Sequence, residues 1–132
     1  MSETLVRLQQ VPEWINEIFR EIDTQHFAEG FAHLTDKTEM QFGTAKIVGV
    51  EAIKQFFIKI DSPLDIEHHV HDFWDGGVTK ILRGDAFLRK KGSTDDPVTT
   101  PLMMIFYMSA DTGNVVTRWF IVNGPIKTDA VI

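Results

Sequence analysis

The sequence of 132 residues contains no cysteine, a single tyrosine and no long hydrophobic run. The lack of cysteine excludes disulfides, thiolate metal sites and a cysteine nucleophile. A membrane-spanning helix needs about 18 consecutive apolar residues, and a secretion signal needs a basic start followed by an apolar run. Because neither pattern occurs, we expect a cytoplasmic protein with no membrane partner.

Positive charge is also scarce. The chain has 13 Lys and Arg against 19 Asp and Glu, a net charge of -6, and its one basic clump is the loop-like stretch 89–92. We therefore expect no nucleic-acid partner. The hydrophobic content of 43% and charged content of 24% are ordinary for a soluble globular protein. This length predicts one domain over residues 1–132.

Apolar residues in the first half of the chain recur at helical spacing. After Pro12 they are Trp14, Ile15, Ile18, Phe19 and Ile22. A second set is Val50, Ile53, Phe56, Phe57 and Ile60. The pattern predicts two amphipathic helices, with a shorter helical segment over 26–34 and a short strand over 38–43 between them.

After Pro63 the apolar pattern changes to that of strands. The strand-like runs are 66–74, 78–90, 99–109 and 115–123, separated by turn-forming stretches. These runs are too close in sequence for parallel crossovers, so they predict an antiparallel meander. Helices followed by long strands indicate an α+β fold, in which a curved antiparallel sheet wraps around the N-terminal helices as a cone.

The stretch "IEHHVHDFW", residues 66–74, concentrates three histidines in one strand. Strand alternation predicts that His68 and Asp72 face the cavity, whereas His69 and His71 face away. A metal site needs at least three converging ligands, so we expect no metal and no cofactor. His68 is a candidate general acid or base, because imidazole titrates near neutral pH. The alternative is a half-buried structural histidine.

Three further groups are candidates. Arg83 and Asp85 are two residues apart, so both project from one strand face in company with apolar residues, which predicts a cavity location; the alternative is an Arg–Asp pair that braces a strand. Trp119 and Asn123 share one strand face, and Trp14 is either the opposite cavity wall or plain core. The other face of that strand is apolar, which predicts a homodimer through the outer sheet face.

The succession of segments resembles the nuclear transport factor 2-like superfamily, and within it the SnoaL-like group. The resemblance spans about residues 12–126 and lies in "LTDKTEMQFG", "IVGVEAIKQFF", "IEHHVHDF", "VTKILRGDAFLRKKG" and the last hairpin. It implies a cone-shaped α+β roll with a deep apolar pocket and commonly a homodimer. Its members range from polyketide cyclases, ketosteroid isomerases, dehydratases and epoxide hydrolases to proteins that catalyse nothing.

The resemblance also implies residue roles. Arg83 and Asp85 are similar to the Arg-x-Asp of limonene epoxide hydrolase-like members, in which the aspartate acts as an acid and the arginine orients the site. Asn123 stands where many members have an aspartate, and an amide cannot accept a proton at neutral pH. This departure weakens the cyclase and epoxide hydrolase assignments. Ketosteroid isomerase chemistry is not expected, because the apolar residues Phe42 and Met103 stand at the positions where the resemblance places that enzyme's acidic residues.

We therefore expect a small-molecule-binding protein that acts by cofactor-independent acid–base chemistry on a largely apolar cyclic, polyketide-like or terpenoid-like compound. The predicted catalytic residues are His68, Asp85 and Arg83. The predicted substrate-binding residues are Trp14, Asp72, Trp119 and Asn123. The alternative is a non-catalytic ligand-binding or dimeric assembly module. The sequence leaves open the substrate, the reaction type and whether the loop 90–97 is a lid.

Overall fold

A computed structural model describes residues 4–124 of the chain. The elements in chain order are β1 (Val6–Leu8), α1 (Glu13–Thr24), a short 3-10 helix (Phe31–His33), β2 (Leu34–Phe42), β3 (Ala45–Val48), α2 (Val50–Asp61), β4 (Leu64–Asp75), β5 (Thr79–Lys90), β6 (Val98–Met108) and β7 (Val116–Asn123). No helix within these residues is long and apolar enough to cross a membrane.

Both predicted amphipathic helices are present. Helix α1 begins directly after Pro12, whose fixed φ suits a helix start, and buries Ile15, Ile18 and Ile22. Helix α2 begins after Gly49, which has a φ of 94° that L side chains rarely adopt. The predicted helical segment over 26–34 is reduced to the short 3-10 helix.

The loop between α1 and β2 is held by a buried carboxylate. Glu21 is 2% exposed. Its carboxylate accepts hydrogen bonds from the backbone N–H groups of Ala28, Gly30 and Phe31 at 2.7, 2.7 and 3.1 Å. A buried charge is stable only when it is satisfied in this way. Glu21 therefore fixes the path of the chain into β2.

The strands form one open sheet in the order β1-β4-β5-β6-β7-β2-β3. The predicted antiparallel meander of β4 to β7 is confirmed. The sheet is mixed and not wholly antiparallel, because β2 pairs with β7 in parallel. The α+β prediction is confirmed, since the two helices pack on the concave inner face of this curved sheet.

The core lies between the helices and the inner sheet face. An aromatic cluster is at its centre: the Trp119 ring stacks on Phe106 with centroids 5.2 Å apart, and Phe57 lies 5.6 Å from Trp119. Burying each such side chain contributes about 1.5 to 3 kcal/mol before the entropic cost of folding is counted. This packing fixes the inner face against which the site is built.

A bulge at His71 interrupts the alternation of β4. The register to β5 shifts between Val70 and Asp72. Beyond the bulge the inward position passes to Phe73, which is 1% exposed. The prediction that Asp72 faces the cavity is therefore wrong, because a bulge inserts one residue and exchanges the two faces that follow it.

The prediction that Arg83 and Asp85 face the cavity is also wrong. In β5 the inward residues are Leu82 and Ala86, which are 0% and 4% exposed, so the alternate positions 83 and 85 lie on the outer face. Apolar neighbours did not identify the inner face, because β5 has apolar side chains on both faces.

Candidate functional site

The inner sheet face and the two helices line a partly open cavity of about 190 Å³. Most of its wall is apolar, and four polar side chains reach it: Asp61, His68, Thr100 and Asn123. The remaining lining residues are Ile22, Phe42, Phe57, Ile60, Leu64, Ile66, Ala86, Leu88, Leu102, Met104 and Ile121. An apolar cavity with a few polar groups is the usual form of a small-molecule site.

His68 is the cavity residue that the sequence identified. It lies on β4 ahead of the bulge, so alternation places it on the inner face as predicted. Its Nδ1 is 2.6 Å from an Oδ1 oxygen of Asp23 on α1, and its ring packs 4.9 Å from that of Phe19. The carboxylate can accept only from a protonated Nδ1, so Nε2 is left to exchange a proton.

His68 and Asp23 also line a second, more open cleft between α1 and β4. The His68 side chain is 11% exposed. His68 therefore lies between the cavity and a cleft on the protein surface.

Asp61 is the second titratable group of the cavity, and it is not among the residues predicted from the sequence. It is the last residue of α2. Burial raises its pKa from the ordinary 3.8 to about 6, an increase that nearby Asp23 reinforces and His68 opposes. A carboxyl that titrates near neutral pH in a cavity is a typical feature of functional sites.

Thr100 and Asn123 complete the polar part of the wall. The Thr100 hydroxyl donates to the Gly124 carbonyl at 2.8 Å, which leaves its oxygen free to accept a further hydrogen bond. Asn123 lines the cavity and is exposed to solvent, so the cavity reaches the surface there. Its predicted ligand-binding role stays a prediction.

The two predicted tryptophans lie in the core. Trp119 is 1% exposed and packs on Phe106 and Phe57. Trp14 packs against Phe106 at 5.3 Å and His33 at 4.9 Å. Neither tryptophan is among the residues that line the cavity. Their substrate-binding roles stay predictions, and neither side chain contacts the cavity.

The other predicted residues lie together on the outer face. Asp72 lies between Arg7 and Arg83, which hydrogen-bond to its two carboxylate oxygens and lower its pKa. His71 Nε2 lies 2.6 Å from Asp85 Oδ2. These groups lie on the face of the sheet opposite to that of His68, which lines the cavity. Their catalytic and binding roles stay predictions, and the structure gives them no contact with the cavity.

Within residues 4–124 no group of three or more His, Asp or Glu residues is arranged to hold a metal ion.

Three solved structures show which fold this arrangement belongs to. One is a hypothetical protein with a ketosteroid isomerase-like fold from Catenulispora acidiphila, solved in complex with trimethylamine. Its TM-score to this chain is 0.73 at 11% sequence identity, and the alignment covers 87% of this chain and 88% of that protein. A candidate SnoaL-like polyketide cyclase from Shewanella putrefaciens has a TM-score of 0.72 and 10% identity over 86% of this chain and 91% of its own. This chain has the nuclear transport factor 2-like fold.

The third structure with the nuclear transport factor 2-like fold is an LEH-like epoxide hydrolase from M. tuberculosis. Its TM-score is 0.67, with 15% identity over 84% of this chain and 80% of its own. No protein-family model and no curated protein matches the sequence. The predicted resemblance is thus confirmed as a shared fold, while identities this low say nothing about which reaction, if any, the chain performs.

Proposed function

We propose that the chain binds a small, largely apolar molecule in the cavity between the helices and the sheet, and acts on it by proton transfer without a cofactor. The observation that supports this proposal is the placement of two titratable groups, His68 and Asp61, in the wall of one apolar cavity. In such a wall, proton transfer is assisted by groups that titrate near the working pH. His68 gives or takes the proton, and Asp23 holds its ring.

The size of the cavity limits the ligand. A dry engineered cavity of about 150 Å³ binds benzene. The cavity here, about 190 Å³, accommodates a somewhat larger molecule, such as a single substituted ring. We therefore favour monocyclic or short terpenoid-like compounds over tetracyclic steroids and polyketides. The trimethylamine in one of the solved structures is likewise small.

The reaction type stays open among isomerisation, dehydration, cyclisation and epoxide opening. The solved structures with this fold include a candidate polyketide cyclase and an epoxide hydrolase, which supports proton-transfer chemistry as a class. Asn123 can orient a ligand by donating and accepting hydrogen bonds but cannot act as a base. His68 is therefore the group whose loss should stop a reaction.

The second candidate is a non-catalytic ligand-binding or assembly module, and the observation that favours it is Asn123 in the cavity wall. In that case the cavity binds a molecule but does not change it. If the cavity binds a ligand, His68→Gln separates an enzyme from a ligand-binding module, whereas an assembly module needs no ligand in the cavity. An enzyme loses turnover in this variant while it still binds its ligand, whereas a binding module has no turnover to lose.

A ligand panel on the purified protein tests whether the cavity binds. Thermal shifts are measured for monocyclic terpenoids, small epoxides, steroids and polyketide-like compounds, in the wild type and in Ala86→Leu. Ala86 lines the cavity and is 4% exposed, so a larger side chain there takes up the space of a ligand. A ligand at about 100 times its Kd should stabilise the wild type by about 2.7 kcal/mol. The proposal fails if no compound shifts the wild type, or if Ala86→Leu responds equally.

We also propose a homodimer through the outer sheet face. Met103 and Val122 are 44% and 43% exposed there, and Ile105 and Phe120 lie beside them. An apolar patch on a sheet is typical of an interface. Met103→Lys should weaken self-association in light scattering, whereas Val78→Lys in the turn between β4 and β5, which is also exposed, should not. A wild-type monomer at all concentrations would contradict the proposal.

The cytoplasmic location stays a prediction, which cell fractionation would check.

A further inference from the structure

The cavity has an acidic side chain but no basic partner for it. Among its lining residues Asp61 is the acid, and none is a lysine or an arginine. The side chain of Asp61 forms no hydrogen bond or ion pair with any other residue between positions 4 and 124. By contrast, the buried carboxylate of Glu21 accepts three backbone N–H groups. Asp61, which is half-buried, thus has no counter-charge from a lysine or arginine in the cavity wall.

His68 does not fill that place. Its Nδ1 is engaged with Asp23 at 2.6 Å, so the positive charge that His68 takes on when protonated is already shared with another carboxylate. Its effect on Asp61 is the Coulombic attraction that opposes burial, and burial is the larger effect. The wall around Asp61 therefore favours an incoming positive charge over a negative one.

The rest of the cavity suits the hydrocarbon part of such a ligand. Two aromatic rings, Phe42 and Phe57, line it with centroids 6.2 Å apart. Aromatic rings attract organic cations through their electron-rich faces. The aliphatic residues Ile60, Leu64 and Leu102 provide apolar contact. A cationic head at Asp61 and a compact apolar body would use both parts of the wall.

We propose that the cavity selects small, compact amines, with the protonated nitrogen against the Asp61 carboxylate and the hydrocarbon body against the apolar wall. This inference rests on the proposed function, because it assumes that the cavity is the ligand site. It adds the chemical class: alkyl or cyclic ammonium compounds, in preference to neutral or anionic molecules of the same size.

The proposal predicts a pH dependence with a defined sign. An alkylamine, like the lysine side chain, has a pKa of about 10 and stays protonated over the working range. As pH falls below about 6, Asp61 takes up a proton and loses its attraction for the ammonium group. Affinity should then fall by up to about tenfold per pH unit. A neutral ligand of the same shape should bind equally at both ends of this range.

The groups that act on Asp61 are known from each packed element. His68 on β4 and Asp23 on α1 are titratable. Strands β5, β6 and β7 contribute only uncharged side chains to the cavity: Ala86, Leu88, Thr100, Leu102, Met104, Ile121 and Asn123. The pH dependence that remains in Asp61→Asn therefore measures the contribution of His68 and Asp23 together.

The test compares N,N-dimethylcyclohexylamine with 1-cyclohexylethanol, which has the same number of non-hydrogen atoms but no charge. Each is titrated by calorimetry into the wild type, Asp61→Asn and the matched control Asp65→Asn. Asp65 is an exposed acid on β4 that does not line the cavity, so the control removes the same charge elsewhere. The amine should bind more tightly than the alcohol to the wild type and to the control, and this preference should disappear in Asp61→Asn.

The outcomes separate this inference from the proposal on which it rests. If the alcohol binds as tightly as the amine, or if Asp61→Asn keeps the preference, the amine class is wrong while the cavity remains a ligand site. If neither compound binds and the wider panel also gives no shift, the proposed function fails and the inference fails with it. A pH-independent amine affinity would also overturn the inference.

Discussion

Asp61→Asn should make the folded protein more stable at neutral pH. In the wild type, burial raises the pKa of Asp61 from 3.8 to about 6, so the folded state holds its proton more tightly than the unfolded state does. Above pH 6 the carboxyl is charged in both states, and its ionisation opposes folding. The asparagine side chain has nearly the same shape and never ionises.

The magnitude follows from the pKa difference. At about 1.36 kcal/mol per pKa unit, a rise from 3.8 to about 6 corresponds to about 3 kcal/mol. Water still reaches this partly buried carboxyl, so we expect a gain of about 1 to 3 kcal/mol. This gain in stability depends on pH: it is absent below pH 3.8, grows between pH 3.8 and about 6, and is complete above about pH 6.

Denaturant unfolding of both proteins at about pH 4 and pH 7.5 measures this difference, provided that the m-values agree. Asp65→Asn is again the control, and its stability should differ little from the wild type at either pH, as is usual for an exposed substitution. The reasoning is refuted if Asp61→Asn is less stable than the wild type at pH 7.5, which would mean that the ionised carboxylate stabilises the fold.

Three further predictions concern residues outside the polar part of the cavity wall. Glu21→Gln should cost about 3 kcal/mol in denaturant unfolding, because an amide oxygen cannot replace a carboxylate that accepts three backbone N–H groups. The exposed control Glu29→Gln should cost less than about 0.5 kcal/mol, and an equal cost would contradict the role of Glu21. Gly84→Ala should lower the Tm clearly, because a Cβ there would lie 2.2 Å from the His69 carbonyl oxygen. An unchanged Tm would show that the bulge can relax. Asp85→Asn should leave ligand binding in the cavity unchanged, because Asp85 lies on the outer face; loss of binding would restore the sequence-based assignment.

The sequence was sufficient for those elements whose pattern is long and regular. Both helices and the four long strands follow from apolar periodicity over eight or more residues. Strands β1 and β3 have three and four residues, too few to show a pattern. The parallel pairing of β2 with β7 joins segments far apart in the chain, and local pattern contains no information about such a contact.

The assignment of side chains to sheet faces was less successful, for two physical reasons. Alternation holds only until a bulge, and the one at His71 moved Asp72 to the outer face. Gly84 was the available signal, since a glycine inside a strand often marks a close backbone approach. In β5 both faces are apolar, so composition could not identify the inner face, and Arg83 and Asp85 were misplaced.

Asp61 had no recognisable signal in the sequence. It lies in "IDSP", at the end of a helix, where an acidic residue is normally solvated. Its pKa changes because the tertiary structure places it in the cavity wall near His68 and Asp23. The partnership of His68 with Asp23 was equally inaccessible, because 45 residues separate them. His68 itself was identified, because it precedes the bulge and alternation still held.

The central claim is that a small molecule binds inside the cone, and two adjacent methionines test it most directly. Met104 lines the cavity and is 2% exposed, whereas Met103 lies on the outer face and is 44% exposed. In protein labelled with carbon-13 at the methionine methyl groups, titration with a small cyclic ligand should shift the Met104 signal to saturation and leave the Met103 signal in place. If the Met104 signal stays fixed while the ligand binds, or if the Met103 signal moves instead, the ligand is outside the cavity and the account is wrong.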